Sequence, residues 1–269
     1  MSINEYLLAN EPSIRLGVFL SILMAMMWLE VLAPKRQLTC SKPYRWVNNI
    51  SLVAFNTVLL RLLIPAGAVG VALFCEQHEV GLFQYFDLSL VFTLIVCIVI
   101  MDCVIYWQHR MFHTIPWLWR LHRVHHIDQD IDVTTGARFH PIEILLSVLI
   151  KMLVVLLLGA PAEAVIVFEI ILNATAMFNH SNVHLPEKLD KYMRWILVTP
   201  DMHRVHHSQI RSETDSNFGF NVPWWDRIFS SYIDQPQLGH EKMKIGIKGY
   251  EDVRRSQNFA QLLTHPFSK

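Results

Sequence analysis

Long apolar stretches dominate the pattern of hydrophobic and polar positions along the chain. Five of them are candidates for crossing a membrane, at 16–33, 50–74, 88–107, 142–158 and 160–178. A helix that crosses the hydrocarbon core needs about 20 mainly apolar residues, which the first three stretches satisfy. The last two are shorter and are separated only by the corner Gly159-Ala160-Pro161, so they predict a tight helical hairpin. The pattern therefore predicts an all-α integral membrane bundle of three spans plus a hairpin, which either dips into the membrane or crosses it fully.

The composition is typical of a membrane protein and argues against several other classes of protein and site. Hydrophobic residues make up 52% of the chain and charged residues 17%, with 23 basic and 23 acidic side chains and no long run of one sign. This balance gives no reason to expect a nucleic-acid partner. The four cysteines form no CxxC pair, which excludes a disulfide framework, a zinc knuckle or an iron-sulfur site. The first apolar stretch lacks a small-residue cleavage signature, so we expect it to be retained.

Loop charges predict which way the bundle faces. The loop at 34–46 has no acid and carries four basic residues, Lys35, Arg36, Lys42 and Arg45. The loop at 75–87 has no Lys or Arg and carries Glu76, Glu79 and Asp87. By the positive-inside tendency the first loop is cytoplasmic, which puts the N-terminus outside. The third span and the hairpin then deliver all the histidine motifs described below to one cytoplasmic face.

Four ionisable residues lie within or beside apolar stretches, where a charge is costly unless it is paired or lines a site. For Arg61, Lys151 and Glu169, an internal ion pair or snorkelling and a functional role remain open alternatives. Asp102 lies two helical turns before His109 on the same face, so it is a candidate for holding a ligand imidazole in place.

Ten of the fourteen histidines form two copies of one two-part pattern, HxxxH followed by HxxHH. The first copy consists of His109, His113, His122, His125 and His126. The second consists of His180, His184, His203, His206 and His207. On a helix, residues three and four positions apart share a face, so each motif presents its imidazoles to one point. A lone histidine is usually a core residue, whereas this repeated arrangement predicts metal ligation by all ten.

Two copies of five predict two metal ions, with ligands from both copies free to mix at each ion. Five imidazoles exceed the four ligands of a tetrahedral zinc site and suit a six-coordinate ion with one position left for O2. This favours iron, although imidazole also binds zinc, which we expect to be recoverable from purified samples. The ligands must be neutral, so metal occupancy should weaken as the pH falls. Four nearby acids are expected to be solvated loop carboxylates rather than partners of ligand rings: Asp128, Asp130, Asp132 and Asp201.

The residues around the histidines resemble the fatty acid hydroxylase and sterol desaturase superfamily over about residues 102–232. The matching segments are Tyr106-Trp107-Gln108-His109-Arg110, Leu118-Trp119-Arg120-Leu121-His122, Arg138-Phe139-His140-Pro141-Ile142-Glu143, Asn217-Phe218-Gly219 and Trp224-Trp225-Asp226-Arg227. The resemblance implies a cytoplasmic cap that holds a di-metal centre over membrane helices and oxidises lipid C–H bonds. The chain departs from the family at Phe229-Ser230-Ser231, where Phe-Gly-Thr is frequent.

The resemblance also places Arg138 and His140 beside the site, as substrate-adjacent or orienting residues together with Asp102. The residues alone favour a helix cap for His140, because Pro141 and Glu143 follow it. His78, His240 and His265 are expected at the surface. Four tryptophans are expected in an interfacial belt: Trp117, Trp119, Trp224 and Trp225.

The predicted organisation has four segments and one function. A transmembrane region at 1–108 precedes the first histidine segment at 109–140, the hairpin at 141–179 and the second histidine segment with the C-terminal cap at 180–269, and a catalytic domain covers about 100–232. The predicted function is a di-iron oxygenase that hydroxylates or desaturates a sterol, fatty acyl or ether lipid with O2. No haem, flavin or iron-sulfur pattern is visible, so electrons are expected from a separate reductase, a ferredoxin- or cytochrome-like carrier, or a reduced pterin.

Two alternatives come from other classes: a membrane zinc-dependent lipid hydrolase and a non-catalytic metal-binding membrane protein. A hydrolase needs an open zinc and a general base, whereas the motifs supply many imidazoles and no Glu between them. A carrier would favour polar residues along several spans, which the stretch at 88–107 mostly lacks.

Overall fold

The computed structural model describes residues 3–86 and 88–268, and the elements it defines there are helices. In this part of the chain, extended pairing is confined to two isolated bridges, Pro34 with Val183 and Ser208 with Ile245. The predicted all-α class is confirmed. Asp87, one of the acids assigned to the outer loop, lies outside the described residues.

The eight N-terminal helices contain the membrane bundle. They are α1 Ile3–Ala9, α2 Glu11–Leu32, α3 Lys42–Leu63, α4 Gly67–His78, α5 Leu90–Thr114, α6 Pro116–His126, α7 Pro141–Leu158 and α8 Ala162–Asn179. Within the described residues, five stretches are long and apolar enough to cross a membrane, namely α2, the α3–α4 stretch Lys42–Tyr85, α5, α7 and α8. These are the helices that an integral membrane protein requires.

Seven short helices follow the bundle. They are α9 Glu187–Met193, α10 Pro200–His206, α11 Arg211–Thr214, α12 Trp224–Ile228, α13 Gly239–Lys242, α14 Val253–Gln257 and α15 Phe259–Thr264. Single 3-10 turns lie at Leu82–Tyr85, Thr135–Ala137 and His265–Phe267. We call these short helices, together with α6 and the segment before α7, the cap.

The predicted second span is interrupted in the structure. α3 ends at Leu63 and α4 begins at Gly67, with Pro65 between them. Proline cannot donate the helical hydrogen bond, and it disfavours helical backbone in the residue before it, here Ile64 with φ −137°. α3 also begins earlier than expected, and its buried face there is polar, with Asn49 and Asn56 among its residues.

Two faces of α5 have opposite environments. Exposed residues follow one side at helical spacing, among them Ile95, Val99, Trp107 and Met111. On the other side Thr93, Cys97, Met101, Ile105 and His109 are buried at intervals of four. Since residues four positions apart share a helix face, the side that packs into the bundle also carries the histidines into the cap.

The predicted hairpin corner between α7 and α8 is confirmed. Gly159 ends α7 with φ +63°, a left-handed conformation that glycine adopts without the strain of a side chain. A Cβ on Gly81 would lie 2.1 Å from the Gly159 nitrogen, so the chain passes the corner at close range. Glu169 of the hairpin lies 2.8 Å from both Lys151 and Arg15 of α2, which favours the internal ion pair for Lys151 and Glu169.

A buried charge cluster ties the cap to α3. The Arg45 guanidinium donates to Asp128 at 2.8 and 3.0 Å and to Asp132 at 2.5 Å. Burial alone would raise the pKa of Asp128, but Arg45 and Arg138 outweigh it and hold that pKa well below its usual range. The four acids expected in solvated loops are in fact buried: Asp128, Asp130, Asp132 and Asp201. Basic side chains and backbone amides of the loop at 34–46 and the start of α3 are among their partners, because a buried carboxylate must be paired.

Candidate metal centre

Nine of the ten predicted ligands come together in two groups. The five-histidine group consists of His109, His113, His122, His126 and His206. The four-histidine group consists of His125, His180, His203 and His207. Within each group the candidate ligand atoms all lie within 4.8 Å of one another, and the nine side chains belong to residues no more than 6% exposed. The two groups are adjacent, with the rings of His126 and His207 stacked at 4.5 Å.

Each group takes one histidine from the other copy of the sequence pattern. His122 and His126 in α6 belong to the five-histidine group, while the intervening His125 belongs to the other. In the second copy, His203 and His207 belong to the four-histidine group and His206 crosses to the first. The second histidine of each HxxHH, His125 or His206, therefore lies in the group formed mainly by the other copy, so candidate ligands from the two copies mix.

The ring nitrogens are arranged as metal ligands. His125 Nδ1 donates to the Arg138 carbonyl at 3.2 Å and His180 Nδ1 to the Ala176 carbonyl at 2.8 Å, so in both rings Nε2 carries a lone pair. These two Nε2 atoms nevertheless face each other at 3.1 Å. Facing lone pairs repel unless a cation lies beside both. Neighbouring ligands of an octahedral ion with M–N bonds near 2.1 Å are about 3.0 Å apart, so the nitrogens fit a bound metal.

The same arrangement recurs in the five-histidine group. His109 Nδ1 donates to the Phe218 carbonyl at 2.9 Å, and His109 Nε2 lies 3.2 Å from His122 Nε2. His206 Nδ1 donates to the Ser216 carbonyl at 2.7 Å, which leaves its buried Nε2 as a free acceptor. Backbone carbonyls thus select the tautomer and ring orientation of several ligands, the usual task of a metal's outer contacts.

Glu143 is a buried carboxylate that contacts a candidate ligand, and sequence reasoning did not assign it this role. Its Oε1 lies 2.6 Å from His122 Nδ1, and its side chain is 6% exposed. The position in the first turn of α7 suggested helix-start chemistry alone. The signal that could have found it is the segment His140-Pro141-Ile142-Glu143, where the proline starts a helix that aims the acid at α6.

Burial keeps the cap histidines neutral. It lowers the pKa of His122 and of His180 to about 3. It also lowers the pKa of His126 and His207 well below the usual value, with neighbouring imidazoles adding to the shift. Neutral imidazole is the form that binds a metal, so the site is prepared for ligation at physiological pH.

The structure does not bring His184 to either group. α8 ends at Asn179 and residues 181–186 are not helical, so His180 and His184 do not share a helix face. His184 is exposed, and its backbone N–H donates to the Ala33 carbonyl at 2.7 Å. In the first copy the corresponding residue, His113, stays on α5 and joins the five-histidine group.

Asp102 contacts a loop rather than a ligand ring. Its carboxylate accepts from Trp225 Nε1 at 2.7 Å and from the Asn221 backbone at 3.3 Å. The Phe218 carbonyl, and not Asp102, accepts the ring N–H of His109. Asp226 fixes that carbonyl's loop by accepting from the Phe218 and Gly219 amides at 2.8 Å.

Arg138 and His140 are structural in their side-chain contacts. The Arg138 guanidinium is fully buried and donates to the Val124 carbonyl and to Gln257, while its own carbonyl orients His125. His140 Nδ1 accepts from the Ile142 amide at 3.2 Å, which confirms the helix cap that its sequence context favoured.

The remaining histidines and tryptophans correct the expected surface set. His78 is exposed as expected, but His265 is 5% exposed and packs against Tyr250. Trp117 and Trp224 are exposed, at 60% and 43%. Trp119 instead lies against His113 and His126, and Trp225 is hydrogen bonded to Asp102.

The chain forms a turn at Phe229-Ser230-Ser231, where its sequence departs from the family pattern. Ser230 has φ +57°, the left-handed region that favours glycine. Ser231 donates its amide to the Asp226 carbonyl at 2.8 Å and its hydroxyl to the Asp226 carboxylate at 2.7 Å.

Known proteins similar to this chain act on lipids. Ornithine lipid hydroxylase OlsE of Rhizobium tropici is 30% identical over 179 residues, which are 66% of this chain and 51% of that protein. Human alkylglycerol monooxygenase is 26% identical over 147 residues, 53% of this chain and 30% of that protein. Human lathosterol oxidase is 26% identical over 188 residues, 69% of this chain and 58% of that protein.

The chain thus spans about half the length of the ornithine lipid hydroxylase and less than a third of the alkylglycerol monooxygenase. No solved structure matches the chain. The fatty acid hydroxylase family matches residues 94–231, just over half of the 269 residues and a range that contains all nine clustered histidines. The chain is therefore an integral membrane protein that belongs to the fatty acid hydroxylase family.

Proposed function

We propose that this chain is a membrane-bound di-iron oxygenase that hydroxylates or desaturates a lipid, with O2 as co-substrate and electrons from a separate donor. The observation that carries the proposal is the convergence of unprotonated Nε2 atoms in two adjacent buried groups, as at His125 and His180. Iron is favoured because five-nitrogen and four-nitrogen sites leave open positions on a six-coordinate ion. When bound, the two ions would supply the redox chemistry that activates O2.

The protein's own residues hold the ions and keep their surroundings dry. The nine histidines are the proposed ligands, and carbonyls such as those of Phe218 and Ala176 hold the Nδ1 protons on the outer side of the rings. The buried Glu143 carboxyl lies 2.6 Å from His122 Nδ1, where it would supply a negative charge to a metal-loaded site whose ligands are otherwise neutral. Exclusion of water at such a site protects reactive species and lets binding determine which carbon approaches.

The substrate class follows from the similar proteins and the bundle. Their names specify an ornithine lipid, an alkylglycerol and a sterol, which share a polar head and a long apolar part. A cap at the end of membrane helices suits such a molecule, because its apolar part can stay in the bilayer while the reacting carbon reaches the metals. We propose an amphipathic lipid of this kind as the substrate.

We also propose that the cap faces the cytoplasm and receives its electrons there. The basic loop at 34–46 supports this orientation, and it lies against the cap through the Lys35 pair with Asp201 at 2.7 Å. A separate reductase, a ferredoxin- or cytochrome-like carrier, or a reduced pterin would serve as donor.

Labelled oxygen tests the reaction. The full chain, loaded with ferrous iron in lipid nanodiscs, is supplied with reductant, 18O2 and a panel of ornithine lipids, alkylglycerols, sterols and fatty acyl lipids. We expect an 18O-labelled alcohol or a new double bond in one class, and its loss in His203→Ala. Lipid cleavage with zinc and without O2 would support the hydrolase alternative, and a metal-replete protein that consumes no lipid-dependent O2 would support a carrier.

A further inference from the structure

Six exposed large apolar side chains lie on or beside α9 and α12 of the cap. We call them the cap patch, which consists of Leu189, Tyr192, Trp195, Ile196, Trp224 and Ile228. Tyr192, Ile196 and Ile228 are 72%, 64% and 61% exposed. Contiguous exposed apolar surface of this kind marks a contact site rather than ordinary protein surface.

Local contacts make the cap patch one surface. Trp224 Nε1 donates to the Trp195 carbonyl at 2.8 Å, which joins the segment after α9 to α12. The Arg227 guanidinium lies 4.1 Å from the Trp195 ring and 4.1 Å from the Tyr232 ring. The arrangement is therefore a fixed platform of aromatic and aliphatic side chains with an arginine held between two rings.

The cap patch continues the exposed side of α5. Phe229, next to Ile228, packs against Trp107 at 4.8 Å and stacks on Tyr106 at 5.3 Å. Trp107 belongs to the exposed stripe that runs along α5, and it lies near the cap end of that helix. A spanning helix exposes such a stripe to lipid, so the lipid-facing surface of the bundle extends across Phe229 onto the cap.

We propose that the cap patch is inserted into the interface of the bilayer, between the head groups and the first acyl carbons. Tryptophan, tyrosine and arginine are the side chains that favour this layer, because each has an apolar body and a polar end. The isoleucines and Leu189 would supply the apolar contact of an interfacial segment. The cap is then attached at two places, by its connections to α5, α7 and α8 and by the cap patch. This contact is independent of the proposed reaction.

Quenching by labelled lipids tests the insertion. Ile196→Cys and Ile228→Cys in the full chain carry an environment-sensitive fluorophore, in vesicles of equal parts phosphatidylcholine and phosphatidylglycerol with a lipid nitroxide near the head group. Ile95→Cys on the α5 stripe is the positive control, and Glu241→Cys on an exposed charged helix of the cap is the negative control. Unsubstituted chain treated with the fluorophore gives the background from native cysteines.

We expect quenching at Ile196 and Ile228 several-fold greater than at Glu241, and stronger with a nitroxide near the head group than with one deep in the acyl chain. If both labels are quenched no more than Glu241→Cys, the cap patch faces water and the inference is wrong. Tyr192→Cys gives a further reporter if one isoleucine variant fails to purify. Iron content, measured for each variant, separates loss of folding from loss of membrane contact and leaves the proposed reaction to its own test.

Discussion

Replacing Glu143 with glutamine removes the ionisable carboxyl beside the five-histidine group, and with it the negative charge available to a metal-loaded site, while keeping the shape of the side chain. The Glu143 carboxylate lies 2.6 Å from His122 Nδ1, and both side chains are almost fully buried, at 6% and 3% exposure. An amide oxygen can still accept the ring N–H. Glu143→Gln therefore tests the charge and not the packing.

The expected loss of metal affinity follows from the position of Glu143 outside the candidate ligand His122. Loss of an outer partner of a ligating histidine costs about 10- to 100-fold in metal affinity, about 1.4 to 2.7 kcal/mol. His122 belongs to the five-histidine group alone, so only one of two sites should weaken. Asp215→Asn is the matched control, because its carboxylate lies 3.4 Å from His113 Nδ1 and is 33% exposed. A solvent-screened pair is worth at most about 1 kcal/mol, or about fivefold.

Chelator competition measures the two sites. Metal-free protein in detergent is titrated with iron(II) under anaerobic conditions against a chelator, and the isotherm is fitted with two affinities. Glu143→Gln should lower one affinity by about 10- to 100-fold, and Asp215→Asn should leave both within about fivefold. Equal weakening of both sites, or a larger effect in Asp215→Asn, would refute a specific role for the Glu143 charge.

Three further predictions follow from the fold and the site. His113→Ala should lower bound metal by close to one ion per chain while His184→Ala leaves it unchanged, as measured by elemental analysis, and an equal loss in both would contradict the assignment of ligands. Metal-free protein should lose stability as the pH falls from about 6.5 to about 3. The pKa of His122 is about 3 in the folded chain and 6.5 when unfolded, so the unfolded state binds more protons, and His122 contributes a loss of about 1.4 kcal/mol per pH unit. A melting temperature that is flat across this range would contradict the buried neutral state. Arg45→Met should destabilise the protein by roughly 3–5 kcal/mol because it leaves buried carboxylates unpaired, whereas the exposed Arg61→Met should change the melting temperature little.

The class of fold and the histidine motifs were readable from sequence because both depend on local spacing. Hydropathy over a window identified the spanning stretches, but it averages around a helix and so missed the buried polar face of α3 that Asn49 and Asn56 share. Pro65 was the visible signal for the break after α3. The sequence placed His184 with the other ligands, but the structure leaves it out of both groups, because the HxxxH argument assumes a continuous helix and α8 ends at Asn179.

Contacts between distant segments were beyond reach of the spacing arguments. Asp102 was considered as a partner for His109 from its place on the same helix face, but the structure gives that place to a carbonyl 109 positions away, at Phe218. Glu143 reaches His122 from another helix. Which HxxHH residue crosses to the other group also depends on how α6 and α10 face each other, which a single sequence does not encode locally.

The exchange of His125 and His206 sets an order of events during biogenesis. The four-histidine group needs His125 from before the hairpin and three residues from after it, and the five-histidine group needs His206 from the late segment. Neither ion can be fully caged until α7 and α8 are in the membrane and translation has passed residue 207. Once bound, the two proposed ions would link early and late parts of the chain, and because they would bind the native state alone they would oppose withdrawal of the hairpin. Resistance to proteolysis in the loops flanking α7 and α8 would then report metal loading rather than helix insertion.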